Sequence, residues 1–209
     1  MDKQFALVIL GLDNLILDNI NRKTTTYTEI GWDEINIKDF ISKKENKMRI
    51  ASFNTNTVNF TASSRRNRYY DIYNRQDMLE HDILFPNCSE VMKLLAKDFK
   101  IFVVSLRTKD LEEKTLSVLK ELGFPVDLIE FSFKKQFEII QSYKRKCLMK
   151  IHDEFPSGIG LILNPDDSIL LEEFDYSPVG FSSIKNKEDF STEVVCANWK
   201  EINSSISQS

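Results

Sequence analysis

Four short apolar runs recur along the chain, separated by segments with helical spacing, and this alternation restricts the fold more than any other feature. The runs cover residues 5–10 (FALVIL), 100–105 (KIFVVS), 128–133 (LIEFSF) and 159–164 (IGLILN). The first is apolar at every position, as expected for a central parallel strand covered on both faces. Strands that alternate with helices require right-handed crossovers and a parallel sheet with helices on each side. The expected fold class is therefore α/β, with three αβα layers.

The helical segments fit that plan. Ser89 is a candidate N-cap for a helix carrying Val91, Met92, Leu94 and Leu95. Residues 109–122 place Leu111, Thr115, Leu116, Val118, Leu119 and Leu122 on an inner side, and Gly123 and Pro125 then stop the helix. Further helices are expected over 136–151, 167–174 and 194–202, with a short strand over 179–182 and a frayed tail over 204–209.

From Asn19 to about Gln76 the texture changes to Asn, Thr, Ser and Lys with sparse apolar residues. A helix is expected within 34–50, a hairpin or loop over 51–64, and a second helix over 65–79 carrying Tyr69, Tyr70, Ile72 and Tyr73. This divides the chain into a core of residues 1–18 and 82–203 and an insertion of residues 19–81 between the first and second core strands.

The composition removes several function classes. With 28 Lys and Arg against 32 Asp and Glu, the chain has no overall attraction for nucleic acid or an acidic membrane. Arg65, Arg66, Arg68 and Arg75 interleave with tyrosines, a pattern that can bind phosphate and stack on bases. In an acidic chain it is read instead as packed tyrosines with solvated arginines. Nucleic acid is accordingly not an expected partner. The 3 cysteines (Cys88, Cys147, Cys196) lie far apart without a C-x-x-C pair, which argues against a disulfide framework or zinc site and fits a reducing, cytoplasmic setting. No apolar stretch approaches the roughly 20 residues that span a bilayer, so no membrane association is expected.

In a doubly wound sheet the ligand lies outside the carboxyl ends of the strands. Four loops follow from that rule. The first, FALVILGLDNLILDN, resembles the first motif of the haloacid dehalogenase-like (HAD) phosphohydrolase superfamily, an apolar strand ending in D-x-D-(G/N)-T-(L/V). Aligned on it, Gly11 stands at the position of the nucleophilic Asp, Asp13 at that of the general acid/base, and Leu15 at that of the Thr. In the second loop Ser105 matches the family's phosphate-binding hydroxyl, and Arg107 follows two residues later. In the third, Lys134 or Lys135 matches the family's Lys, with Lys135 preferred, while Lys144, Arg145 and Lys146 read as exposed charge. In the fourth, NPDDSILLEEF, the acidic metal-binding motif falls either on Asn164 or on Asp166 and Asp167.

The resemblance implies a HAD-like Rossmannoid fold with a cap-like insertion, phosphate-binding residues Ser105, Arg107 and Lys135, and a Mg²⁺ site using Asp166 and Asp167. A carboxylate nucleophile is needed for the covalent phosphoryl transfer of this family. Gly11 has none, and Asp13 sits two residues further on, a step of roughly 7 Å along an extended segment. The expectation is a degenerate member without ordinary phosphatase activity, kept for binding a phosphorylated small ligand or for protein interaction. The alternative is a Mg²⁺-dependent phosphohydrolase in which Asp13 activates water.

Overall fold

The structure, a computed structural model, describes residues 5–31, 62–182 and 187–206, with the side chains of 62–66 outside the description. The helix expected within 34–50 and residues 51–61 of the expected hairpin or loop lie outside the described residues, whereas residues 62–64, expected in that loop, open the helix Ala62–Tyr73. The chain divides into two units, Met1–Asp18 with Leu84–Ser209, and Asn19–Ile83. The short strands β2 (Leu17–Asp18) and β3 (Ile83–Leu84) mark where the chain leaves and re-enters the larger unit.

In the larger unit six parallel strands are ordered β5-β4-β1-β6-β7-β8, comprising β1 (Phe5–Leu10), β4 (Phe99–Thr108), β5 (Ile129–Lys134), β6 (Gly158–Ile162), β7 (Tyr176–Phe181) and β8 (Val194–Cys196). The α/β expectation holds, and the fold is the HAD-like Rossmannoid one. From β1 the chain winds outward to β4 and β5, then crosses to β6, β7 and β8. The switch in direction falls at β1, where such sheets open a crevice at the carboxyl ends.

β1 explains the layering. Leu7 and Ile9 join the cluster that contains Met92 of α3 (Cys88–Leu95), Leu119 of α4 (Glu112–Glu121) and Trp199 of α7 (Trp199–Ile206). Ala6, Val8 and Leu10 join the opposite cluster, with Leu148 of α5 (Ile140–Glu154) and Leu171 of α6 (Asp167–Glu172). Gly160 on β6 is needed for close packing, because a Cβ there would lie 2.2 Å from a Leu171 methyl.

Several boundaries differ from expectation. Asn87, in the left-handed conformation at φ 63°, caps α3, and Ser89 lies inside the helix, where its hydroxyl donates to the Gly123 carbonyl. α5 begins at Ile140, since residues 135–138 close a separate turn. Val194–Cys196, expected to start a helix, instead forms the edge strand β8 beside β7. The residues expected to fray continue α7 to Ile206, which is buried.

The smaller unit contains α1 (Ile20–Glu29) and α2 (Ala62–Tyr73). Tyr27 and Tyr69 pack with ring centres 4.9 Å apart, and Tyr69 stacks on Tyr73 at 5.5 Å. The Tyr73 hydroxyl accepts hydrogen bonds from Asn19 (2.6 Å) and the buried Arg22 (2.7 Å), whose Nε lies 3.1 Å from the buried Asp82 carboxylate. Arg75 bridges Glu29 and Asp77 at the surface. Among the described residues no helix is long and apolar enough to cross a membrane.

Burial pushes the thiols of Cys88, Cys147 and Cys196 up from their ordinary value of 9.0. It likewise pushes the Tyr176 hydroxyl, which donates to the Phe155 carbonyl, up to about 12. Each group ionises more readily in the unfolded chain. The stability they contribute is complete below the unfolded values and is lost as pH rises through the folded ones. The melting temperature is expected to hold level from about pH 7 to 8.5 and to fall progressively from about pH 9 to 12. Calorimetry across that range checks this, and a level profile to the alkaline end would contradict it.

Candidate functional site

β1 ends at Leu10, and Gly11 turns the backbone at φ +141°, a conformation that L side chains rarely adopt. A Cβ on Gly11 would also press against Leu15 Cδ1 at 3.3 Å. Beyond it the chain winds a single tight turn in which the Ile16 and Leu17 N–H groups donate to the Leu12 carbonyl at 3.0 and 3.1 Å. Leu12, Leu15, Ile16 and Leu17 are all buried, and the buried Trp199 indole N–H donates to the Leu15 carbonyl at 2.9 Å. Leu15 is therefore a core residue.

This anchored turn projects Asp13 at the crevice. Its side chain keeps 27% of its exposure, against 4% for its partner Arg107. Arg107 Nη2 donates to Asp13 Oδ1 at 2.5 Å and Nε donates to Oδ2 at 3.4 Å, while Nη1 donates to the Thr115 hydroxyl of α4 at 3.2 Å. Arg107, two residues beyond the buried Ser105, lies on the same face of β4, with the exposed Leu106 between them. Ser105 is fully buried, and its Oγ accepts the Arg107 backbone N–H at 3.1 Å. The structure thus brings Asp13, Ser105, Arg107 and Thr115 into one hydrogen-bonded group.

A second group lies at the end of β6. Lys144 of α5 donates to Asp167 Oδ2 at 2.6 Å, and both side chains are buried. The expectation that Lys144 is exposed charge is corrected. It stands four residues before Leu148 and seven before Ile151, on the helix face that packs against the sheet. Arg145 and Lys146, on the other side, are exposed. Lys135 is exposed in the turn after β5, where its backbone N–H donates to Glu138. Asp166 is exposed, and Asn164 is partly buried.

The fold family implies Mg²⁺, and the donors present do not fit it. Mg²⁺ takes near-octahedral oxygen ligands and usually one or two carboxylates. Gly11 supplies none, and Asp167 is already paired with an ammonium. Its Oδ1 is a buried oxygen without a hydrogen-bond partner among the described residues. One oxygen beside Lys144 is not a cation site, and no group of three or more metal-capable His, Cys, Asp or Glu side chains occurs among the described residues.

No family model matches the sequence, and no curated protein matches it. Solved structures do match in fold. A haloacid dehalogenase-like family hydrolase from Streptococcus pneumoniae superposes with a TM-score of 0.66 at 14% identity, covering 98% of this chain and 99% of that one. A HAD-superfamily hydrolase of subfamily IA from Geobacter sulfurreducens gives 0.61 at 13% identity, covering 98% and 97%. Protein Tyrosine Kinase A from Mycobacterium tuberculosis gives 0.67 at 15%, covering 98% and 99%. At such identities the likeness defines the fold alone: these neighbours share a scaffold, and the chemistry of this chain rests on its own residues.

Removing one partner of a buried ion pair leaves a desolvated charge, at a cost of roughly 3–5 kcal/mol. Lys144→Met, which strands Asp167, is expected to lie in that range. Asp13→Ala is expected to cost less, about 2–3 kcal/mol, because Asp13 is partly solvated and Thr115 remains on the guanidinium. Urea titration measures both, and a loss below about 0.5 kcal/mol, the level of a surface pair, would contradict the assignment.

Proposed function

We propose that this chain is a non-catalytic HAD-like protein retained for interaction with a partner, its former phosphoryl crevice closed by its own ion pairs. One observation carries the reading: at the two ends of strands where the fold would handle phosphate, each cation already holds a carboxylate of the chain. Arg107 holds Asp13, and Lys144 holds Asp167. The four charges sum to zero, so the crevice offers no excess positive charge to a phosphoryl group.

The positive φ of Gly11 supports the same reading from the backbone side. The position has lost more than a carboxylate, because the main chain there takes a course suited to glycine. Asp13 is also poorly placed to serve as an acid or base. Both of its oxygens face the Arg107 guanidinium, whose N–H groups they accept. Removal of the nucleophile from a covalent mechanism costs on the order of a millionfold in rate.

Asp13 acts in this reading as an internal substitute for the anion. A small phosphorylated ligand would have to displace it from Arg107. Wild type is expected to show no turnover of p-nitrophenyl phosphate or acetyl phosphate above the no-enzyme rate, with or without added Mg²⁺, and weak or undetectable binding of inorganic phosphate. Asp13→Ala frees the guanidinium and is expected to bind phosphate more tightly than wild type by about tenfold or more, since a charge-assisted pair is worth 1.5–3 kcal/mol or so. Titration calorimetry measures the difference. Mg²⁺-dependent turnover by wild type that disappears in Asp13→Asn would establish the phosphohydrolase reading instead.

A further inference from the structure

The turn that follows β5 carries exposed apolar side chains as well as Lys134 and Lys135. Among the described residues its Phe137 is the most exposed large hydrophobic side chain. Phe137 is 92% exposed and Ile139 is 72% exposed, with Ile140 beside them. Phe137 sits at φ +64°, which for a bulky L-residue costs about 1 kcal/mol or more. The turn is rigidly built all the same. The Glu138 N–H donates to the Lys135 carbonyl at 3.2 Å, and the Lys135 N–H donates to Glu138 Oε2 at 3.0 Å. Lys134 Nζ spans the turn, donating to the carbonyls of Lys135 (2.8 Å) and Glu138 (3.2 Å). A strained, pre-organised loop that holds a phenyl ring in water has the character of a binding anchor.

β5 itself is an edge strand whose one hydrogen-bonded neighbour among the described residues is β4. The opposite edge, β8, has 3 residues, whereas β5 has 6, reads IEFSFK, and contains neither Pro nor Gly. Natural proteins shorten, charge or cover such edges, because their open N–H and C=O groups recruit another strand. Beside the start of β5, between it and α4, lies a groove of about 410 Å³. Leu116, Val126, Ile129 and Phe131 form its apolar wall, and Glu112, Asp127, Lys120 and Ser117 complete its lining, with one net negative charge.

We infer that β5 is a self-association strand: two copies pair antiparallel along it about a two-fold axis beside Ser132, each setting Phe137 into the groove of the other. The groove lies at the start of β5 and the anchor just past its end, so antiparallel pairing brings each anchor to the opposing groove. With Ser132 on the axis, Lys134 falls opposite Glu130, and the turn that carries Phe137, just past the end of one strand, comes to the start of the other, where the groove lies. The exposed Lys135 at the tip then approaches a groove lining of one net negative charge, Glu112 and Asp127 against Lys120. An isologous contact of this kind is closed and uses each surface twice.

Sedimentation equilibrium over about 1–100 μM, the range in which an interface of modest size declares itself, tests the inference. Wild type is expected to be a dimer dissociating in the low micromolar range or below. Phe137→Ser is expected to weaken it by about tenfold or more, as loss of an anchor does. Lys135→Glu and Asp127→Lys are each expected to weaken it, and the double exchange to restore it, which a folding defect would not do. A wild type that stays monomeric at the highest concentration overturns the inference. A dimer indifferent to all of these changes overturns it too, as does a monomer whose Phe137 instead drives binding to phosphatidylserine vesicles.

Discussion

The turn of the main chain at Gly11 is the constraint from which the crevice follows. β1 is buried on both faces and ends at a backbone conformation of φ +141°. The next six residues depend on that direction. It carries Leu12 into one core layer, lets Leu15 and Ile16 pack beside it, and leaves Asp13 facing Arg107. Trp199, from the last helix, fastens the arrangement through the Leu15 carbonyl. Leu12, Leu15, Ile16 and Leu17 make this loop part of the core. Each buried leucine or isoleucine in it contributes about 1.5–3 kcal/mol of apolar burial.

The two ion pairs are better understood as specificity devices than as sources of stability. Bringing Arg107, Lys144 and Asp167 out of water costs several kcal/mol per ion, which their mutual attraction offsets only when the geometry is close. Contacts of 2.5 and 2.6 Å meet that condition. Once formed, each pair fixes which strand ends may approach, because any other arrangement leaves a buried charge alone. The smaller unit holds a further buried pair, Arg22 with Asp82.

The sheet was legible because its strands are buried on both faces, so their apolar runs stand out without a periodicity argument. The four runs read from sequence all became strands, with ends displaced by up to three residues, the largest shift being the extension of β4 to Thr108. β8 was not legible. Val194–Cys196 is too short to separate from a helix start, and its edge position is set by pairing with β7. Of the crevice, the order of the loops was visible and the partners were not. Arg107 suggested a ligand for phosphate, yet the residue that claims it, Asp13, lies 94 positions away. Lys144 was hidden inside the triplet Lys-Arg-Lys, which resembles solvated charge. Its alignment with Leu148 and Ile151 was the one available sign of burial. Thr115 was readable as an inward position on α4, but its hydrogen bond to Arg107 joins two elements whose facing the sequence does not show.

Restoring the carboxylate at position 11 tests the account most directly, with Gly11→Ala as the control for the backbone. If the glycine conformation is what the crevice depends on, both variants lose about 1–3 kcal/mol in urea titration, as side chains forced into such a conformation do. Gly11→Asp then forms no acid-stable, hydroxylamine-sensitive phosphoenzyme with acetyl phosphate and Mg²⁺. A Gly11→Asp protein as stable as wild type that becomes phosphorylated on the new carboxylate would contradict the account, because it would mean that a working phosphoryl site lacks one side chain and nothing more.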